Sequence, residues 1–168
     1  MSFILHVALT TAWLGSAHAQ HRNHRLGFEV GYVRLDQTGV KPNAPHFGAR
    51  IIHKLVEHWW ISSRFGIALP GSPAGSGMPR LVRFQIVPLD IRYYLATDAV
   101  RPFVGAGSVI GLEASGFSEV HWGPGALAGF ELRVGRGVSW GVQTDWNYIV
   151  TRPRGFWFST VAQVNFGF

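Results

Sequence analysis

The sequence predicts an all-β protein, an eight-stranded antiparallel transmembrane up-and-down β-barrel. Three observations carry that expectation. Charged residues are only 14% of the 168 while hydrophobic residues are 47%, whereas soluble domains are roughly 25% charged. An export address at the N-terminus is followed by no apolar run long enough to cross a bilayer as a helix. The rest of the chain alternates apolar with polar or small residues over segments of about nine to eleven residues, the pattern of strands with one face in lipid.

Positions 3–14 are largely apolar, interrupted by His6, Thr10 and Thr11, and lead into Gly15-Ser16-Ala17-His18-Ala19. Ala17 and Ala19 form the small-x-small pattern that signal peptidase accepts, so residues 1–19 read as a cleaved signal peptide. Its leading end holds no Lys or Arg and relies on the α-amino group alone. Residues 20–25 read as a short periplasmic segment and residues 26–168 as the barrel, one domain. Without a spanning helix, only a closed barrel satisfies every backbone donor and acceptor in lipid. The absence of cysteine excludes disulfides and Cys-based metal sites.

The strands follow in order. Weaker alternation marks 26–36, 47–56, 81–95 and 102–112. In the third segment Trp59, Ile61, Phe65, Ile67 and Leu69 oppose Trp60, Ser62, Arg64, Gly66 and Ala68. Pro88 removes a ladder donor from the fourth and predicts a bulge or a rim position. Pro124 delays full pairing of the sixth until about Gly125, after which Ala126, Ala128, Phe130, Leu132 and Val134 oppose Leu127, Gly129, Glu131 and Arg133. The seventh sets Val138, Trp140, Val142, Trp146, Tyr148 and Val150 against Ser139, Gly141, Gln143, Asp145 and Asn147. The eighth sets Phe156, Phe158, Ala162, Val164, Phe166 and Phe168 against Ser159, Gln163, Asn165 and Gly167. The connectors fall at 37–46, 57–58, 70–80, 96–101, 113–119, 135–137 and 151–155. The two longest are odd-numbered and the two tightest even-numbered. Since barrels have long extracellular loops and short periplasmic turns, both termini are expected in the periplasm.

Val87-Pro88-Leu89-Asp90-Ile91-Arg92-Tyr93-Tyr94-Leu95 and Arg101-Pro102-Phe103-Val104-Gly105-Ala106-Gly107 resemble a recurring strand–turn–strand of the small OmpA/OmpX-type outer-membrane barrels. The resemblance covers nearly all of the mature chain. The closing Val164-Asn165-Phe166-Gly167-Phe168 resembles the C-terminal signal of that family, with Val164, Phe166 and Phe168 as the residues the barrel-assembly machinery would read. The resemblance implies a Gram-negative outer-membrane location. It says little about activity, because the family includes adhesins, anchors and proteins of unknown role.

Parity turns Glu29, Arg50, Lys54, Arg64, Asp90, Arg92, Glu131, Arg133 and Asp145 inward. An eight-strand barrel is just wide enough for side chains to fill, and charges there must be paired or wet. These nine are expected to form a structural salt-bridge network in a plugged lumen. A wide porin is excluded at that strand count, and a narrow ion path is the alternative. Aromatic residues gather at two heights. His58, Trp59, Trp60, Tyr93, Tyr94, Phe103, Phe166 and Phe168 mark one girdle, and Trp122, Tyr148, Phe156 and Trp157 the other.

Net charge is +6 and residues 1–19 contribute none of it. No basic stripe with interleaved stacking aromatics accompanies it, so nucleic acid is not the expected partner. At the outer end Lys41, Arg80, Arg83, Arg152 and Arg154 outnumber Asp36, Glu113 and Glu119. Of these, Lys41, Arg80, Arg152 and Arg154 are the candidates to contact phosphates of lipopolysaccharide, which Arg suits through bidentate contacts. No cofactor is expected.

A lipid A-modifying enzyme is the alternative function. The lipid A deacylase family carries a His-x-Ser-Asn motif; the matching Thr144-Asp145-Trp146-Asn147-Tyr148 has neither the His nor the Ser. Ser118, Glu119 and His121 offer a different constellation, with Ser118 on the opposite face. His21 and His24 make a two-histidine metal candidate in a tail expected to be unstructured. His53, between Ile51 and Leu55, is expected to face lipid near the periplasmic interface. No catalytic residue is assigned.

Overall fold

A computed structural model describes residues 23–35, 43–69, 82–115, 117–151 and 154–168. Residues 1–22, the expected signal peptide among them, lie outside the described residues, as do Lys41, Arg80 and Arg152. The strands are β1 (His24–Leu35), β2 (Asn43–Lys54), β3 (Trp59–Ala68) and β4 (Val82–Tyr94), followed by β5 (Val100–Ser115), β6 (Phe117–Gly135), β7 (Val138–Ile149) and β8 (Gly155–Gly167). Each pairs antiparallel with the next, and β1 pairs with β8 from Arg25↔Gly167 to Leu35↔Trp157, which closes the barrel. Closure gives every strand a neighbour on both sides.

Period-2 alternation decides what each face carries. Phe28, Val30 and Tyr32 of β1, Phe47 and Ile51 of β2, and Trp140, Trp146 and Tyr148 of β7 point outward and are exposed. A belt of that size would be an association hazard in water. The residues between them point inward, and Glu29, Arg50, Gln143, Asp145 and Asn147 are buried. The expected fold class is the one observed.

Both prolines act through the backbone groups they lack. In β4, Pro88 and Leu89 are both exposed between buried Val87 and buried Asp90. The register shifts there on both sides, between Ser62 and Arg64 of β3 and between Ile86 and Asp90 toward β5. The Ser63 hydroxyl donates to the Pro88 carbonyl at 2.7 Å. This is a bulge, and it reverses parity along the strand. In β6, the Trp122 carbonyl accepts the Val150 N–H, so Trp122 and Pro124 direct their backbone groups toward β7. The missing proline donor therefore removes one rung, and continuous pairing with β7 starts at Gly125↔Asn147. The β5 side is untouched and pairs from Val100↔Leu132 to Ser115↔Phe117. Most of the connector expected at 113–119 is consequently strand.

Both ends of the described chain and the β2–β3, β4–β5 and β6–β7 turns lie at one end of the barrel, here called the terminal end. The tightest of these turns is Arg136-Gly137, where Gly137 has φ 86°, a left-handed conformation that glycine adopts without steric cost. β1 begins at His24, so the expected N-terminal tail is already strand by that residue.

Candidate functional site: a filled lumen in three layers

Among the described residues, inward side chains occupy the lumen in three layers. Near the terminal end lie an apolar cluster of Ile52, Trp60, Tyr94, Phe103 and Leu127 and one buried carboxylate, Glu131. Glu131 Oε1 accepts from Arg25 Nη1 and Arg101 Nη2, each at 2.5 Å. Ser139 donates to the same oxygen, and the Tyr94 hydroxyl donates to Oε2 at 2.6 Å. The Arg25 guanidinium lies over the Trp60 ring at 4.2 Å and that of Arg101 over Tyr94 at 5.2 Å. Aromatic faces attract such cations.

The middle layer is a ladder of charges. Both Arg50 Nε, at 2.9 Å, and Arg50 Nη2 donate to Glu29 Oε2, while His46 Nε2 lies 3.0 Å from Glu29 Oε1. Arg50 Nη1 donates to the Gln143 side-chain carbonyl at 2.8 Å, and the Gln143 amide donates to Asp145 Oδ1 at 2.6 Å. Arg64 grips Asp145 with both terminal nitrogens, at 2.9 and 3.0 Å. This is the bidentate geometry that makes Arg–carboxylate pairs strong. Ser159 donates to Asp145 Oδ2 at 2.7 Å. Arg64 Nε also stands 3.2 Å from Asp90 Oδ2, with Arg92 3.8 Å from that oxygen and 5.1 Å from the Phe103 ring.

Toward the opposite end lies a second buried apolar cluster, formed by Val33, Ala44, Ala68, Val87, Val109, Ile149 and Trp157. Arg83 stacks on Trp157 at 4.3 Å, and the His121 ring meets Trp157 edge-on at 5.6 Å. Gly111 provides the space for that indole, since a Cβ there would overlap the Trp157 ring.

Of the nine residues expected in the lumen network, Glu29, Arg50, Arg64, Asp90, Arg92, Glu131 and Asp145 are buried there. Lys54 and Arg133 are not. Lys54 is half-buried, its ammonium 6.0 Å from the Trp60 ring, and Arg133 is exposed. Both have inward parity, but Lys54 is the last residue of β2, level with Trp60, and Arg133 lies two residues from the end of β6. Parity sets direction and leaves height undetermined.

Several lumen residues escape the sequence pattern. Arg25, His46 and Arg101 are buried or nearly so, yet each falls just outside an expected strand. Extending the alternation one or two residues past each strand end would have found them. Arg83 was expected at the outer rim; the Pro88 bulge reverses its parity and turns it inward. His121 likewise points inward against Trp157; the side chains of Ser118 and Glu119, expected beside it, lie outside the described residues.

The expected aromatic girdles are divided by the same rule. Trp59, Trp122, Tyr148, Phe156 and Phe168 are exposed on the outer face. Trp60, Tyr94, Phe103 and Trp157 point inward and form the two plugs. Arg154, among the bases expected to meet lipopolysaccharide, is exposed beside β8 at the end away from the termini. In the C-terminal segment Val164 and Phe168 are exposed and Phe166 is half-buried, all on the outward parity. Among the described residues no group of three or more His, Asp or Glu side chains converges as a metal site.

Closed topology, eight strands and an apolar exterior define the class: this is the fold of the small outer-membrane β-barrels. Neisserial surface protein A (NspA) superposes with a TM-score of 0.69 at 16% identity, covering 87% of this chain and 97% of that one. The N-terminal β-barrel domain of Pseudomonas aeruginosa OprF gives 0.60 at 17% identity, over 89% and 100% of the two chains. Ail, the attachment invasion locus protein of Yersinia pestis, gives 0.54 at 12%, over 86% and 96%. No protein-family model matches the chain, and no curated protein matches it.

Proposed function

We propose that this chain is an integral barrel of the bacterial outer membrane, with both termini periplasmic, that acts through its outer surface and loops and carries no solute. Its role is to support the envelope or to present loops to a partner. The observation that carries this reading is the lumen: apolar clusters at both ends enclose a hydrogen-bonded charge ladder. An ion entering would have to shed its water to pass two apolar plugs and displace paired charges, and breaking buried pairs is strongly unfavourable. Purified protein reconstituted in planar bilayers is expected to give no sustained ohmic steps. Stable unitary conductance would overturn the closed-lumen reading in favour of a narrow channel.

The loops supply a partner chemistry. Lys41, Arg80 and Arg152 lie in connectors that leave the barrel at the same end as exposed Arg154. Phosphate-rich lipopolysaccharide is the outer-leaflet component that suits such bases. Replacing the four with Ser is expected to weaken association with purified lipopolysaccharide. Unchanged association would remove lipopolysaccharide as the partner.

A further inference from the structure

Sequence spacing sets His24 beside His21, but the fold sets it opposite His53. The two are Cα partners in the β1–β2 register, immediately before Arg25↔Ile52. The Lys54 N–H donates to the Asn23 carbonyl at 2.7 Å, so Asn23 and Lys54 form a hydrogen-bonded pair of the ladder. The next pair, His24 and His53, is then of the non-hydrogen-bonded kind, whose side chains stand closest together. Their rings lie 4.4 Å apart between centroids, and their Nδ1 atoms face each other at 3.1 Å. The Phe168 N–H donates to the His24 carbonyl, and the Phe168 ring stacks on His24 at 6.1 Å. Strands on both sides thus hold His24 in place, while the pair remains exposed on the outer face at the terminal end.

We propose that His24 and His53 form a two-histidine chelate for a divalent transition-metal ion of the copper, nickel or zinc class. Metal–imidazole bonds run about 2.0–2.1 Å, so nitrogens 3.1 Å apart subtend an angle of about 98° at an ion placed between them. That lies between the right angle of tetragonal copper or nickel and the tetrahedral angle of zinc. Imidazole suits all three metals. The register has already brought both donors together, which removes part of the ordering cost of binding. No third His, Asp or Glu joins them among the described residues, so water completes the coordination and the ion exchanges readily. His58, at the same end, is engaged otherwise. Its Nδ1 lies 2.7 Å from the Tyr94 carbonyl oxygen and its ring stacks on Tyr93 at 5.5 Å.

The test is a titration of the folded barrel in detergent with Cu(II), followed by electron paramagnetic resonance. Each variant is first checked for its heat-modifiable gel shift, so that loss of binding is not loss of fold. One equivalent should bind with two nitrogen donors. His24→Asn and His53→Asn should each weaken binding at least tenfold, while His58→Asn and His21→Asn leave it unchanged. Zinc should raise the unfolding temperature of the unsubstituted barrel and leave that of the His53→Asn variant where it was, because an ion bridging two strands stabilises only the folded state. Single-nitrogen coordination, or unchanged affinity in the His53→Asn variant, would overturn the proposal. Loss of binding in His21→Asn would assign the ion to the N-terminal segment and overturn it equally.

Discussion

The Glu131 hub near the terminal end and the Glu29–Asp145–Asp90 ladder in the middle of the lumen solve the same problem in opposite ways. In the hub one carboxylate serves two guanidinium groups, a phenol and a hydroxyl. In the ladder Glu29, Asp90 and Asp145 face Arg50, Arg64 and Arg92, and Gln143 links the Arg50 and Asp145 pairs. Charge in the ladder is balanced, and Arg50 and Arg64 each hold two polar partners, whereas Arg92 has Asp90 3.8 Å away and the Phe103 ring. Charge in the hub is unbalanced and rests on a single side chain, with Trp60 and Tyr94 supplying what relief they can through cation–π contacts. Redundancy, more than the number of hydrogen bonds, should decide how each region responds to damage.

Glu131→Ala should therefore have the largest effect. It leaves Arg25 and Arg101 without their carboxylate, and breaking a buried pair in this way costs about 3–5 kcal/mol. A urea titration of the barrel folded into lipid vesicles would measure it. Asp145→Ala should cost less, about 1–3 kcal/mol, because Arg64 retains Asp90 and Gln143 retains Arg50. If the two substitutions cost the same, or if Asp145→Ala costs more, the contrast between hub and ladder is wrong. The smallest effect sharpens it. Ser139→Ala alone should cost about 1 kcal/mol, and nothing more when Glu131 is already Ala. Full additivity in that double-mutant cycle would mean that Ser139 acts independently of the hub.

Much of this architecture was legible in the chain. The alternation in β7 and β8 is unbroken, so Ser139, Gln143, Asp145, Ser159 and Gln163 could be assigned inward without coordinates, and all are buried. β4 shows where such reading fails. One parity carried through Val82–Tyr94 is correct for Asp90 and Arg92 but sends Arg83 to the wrong face, because Pro88 introduces a bulge. Pro88 itself announced the irregularity, and its consequence for the residues before it could have been followed. The candidate chelate was less accessible, because His24 and His53 are 29 positions apart and meet only through the β1–β2 register.

What the sequence alone determined is the strand period, the number of strands and the direction of most side chains. Each is a local property, set by the alternation of residues along an extended backbone. What only the tertiary structure decided is height and partnership. Closing β1 onto β8 and fixing every register determined that Trp157 plugs one end while Trp60 and Phe103 plug the other. It also determined that Arg25 and Arg101 share Glu131, that Arg133 lies too far out to join them, and that His24 meets His53. Those are relations between strands, and a one-residue slip in any register would rewrite them while leaving the sequence pattern intact.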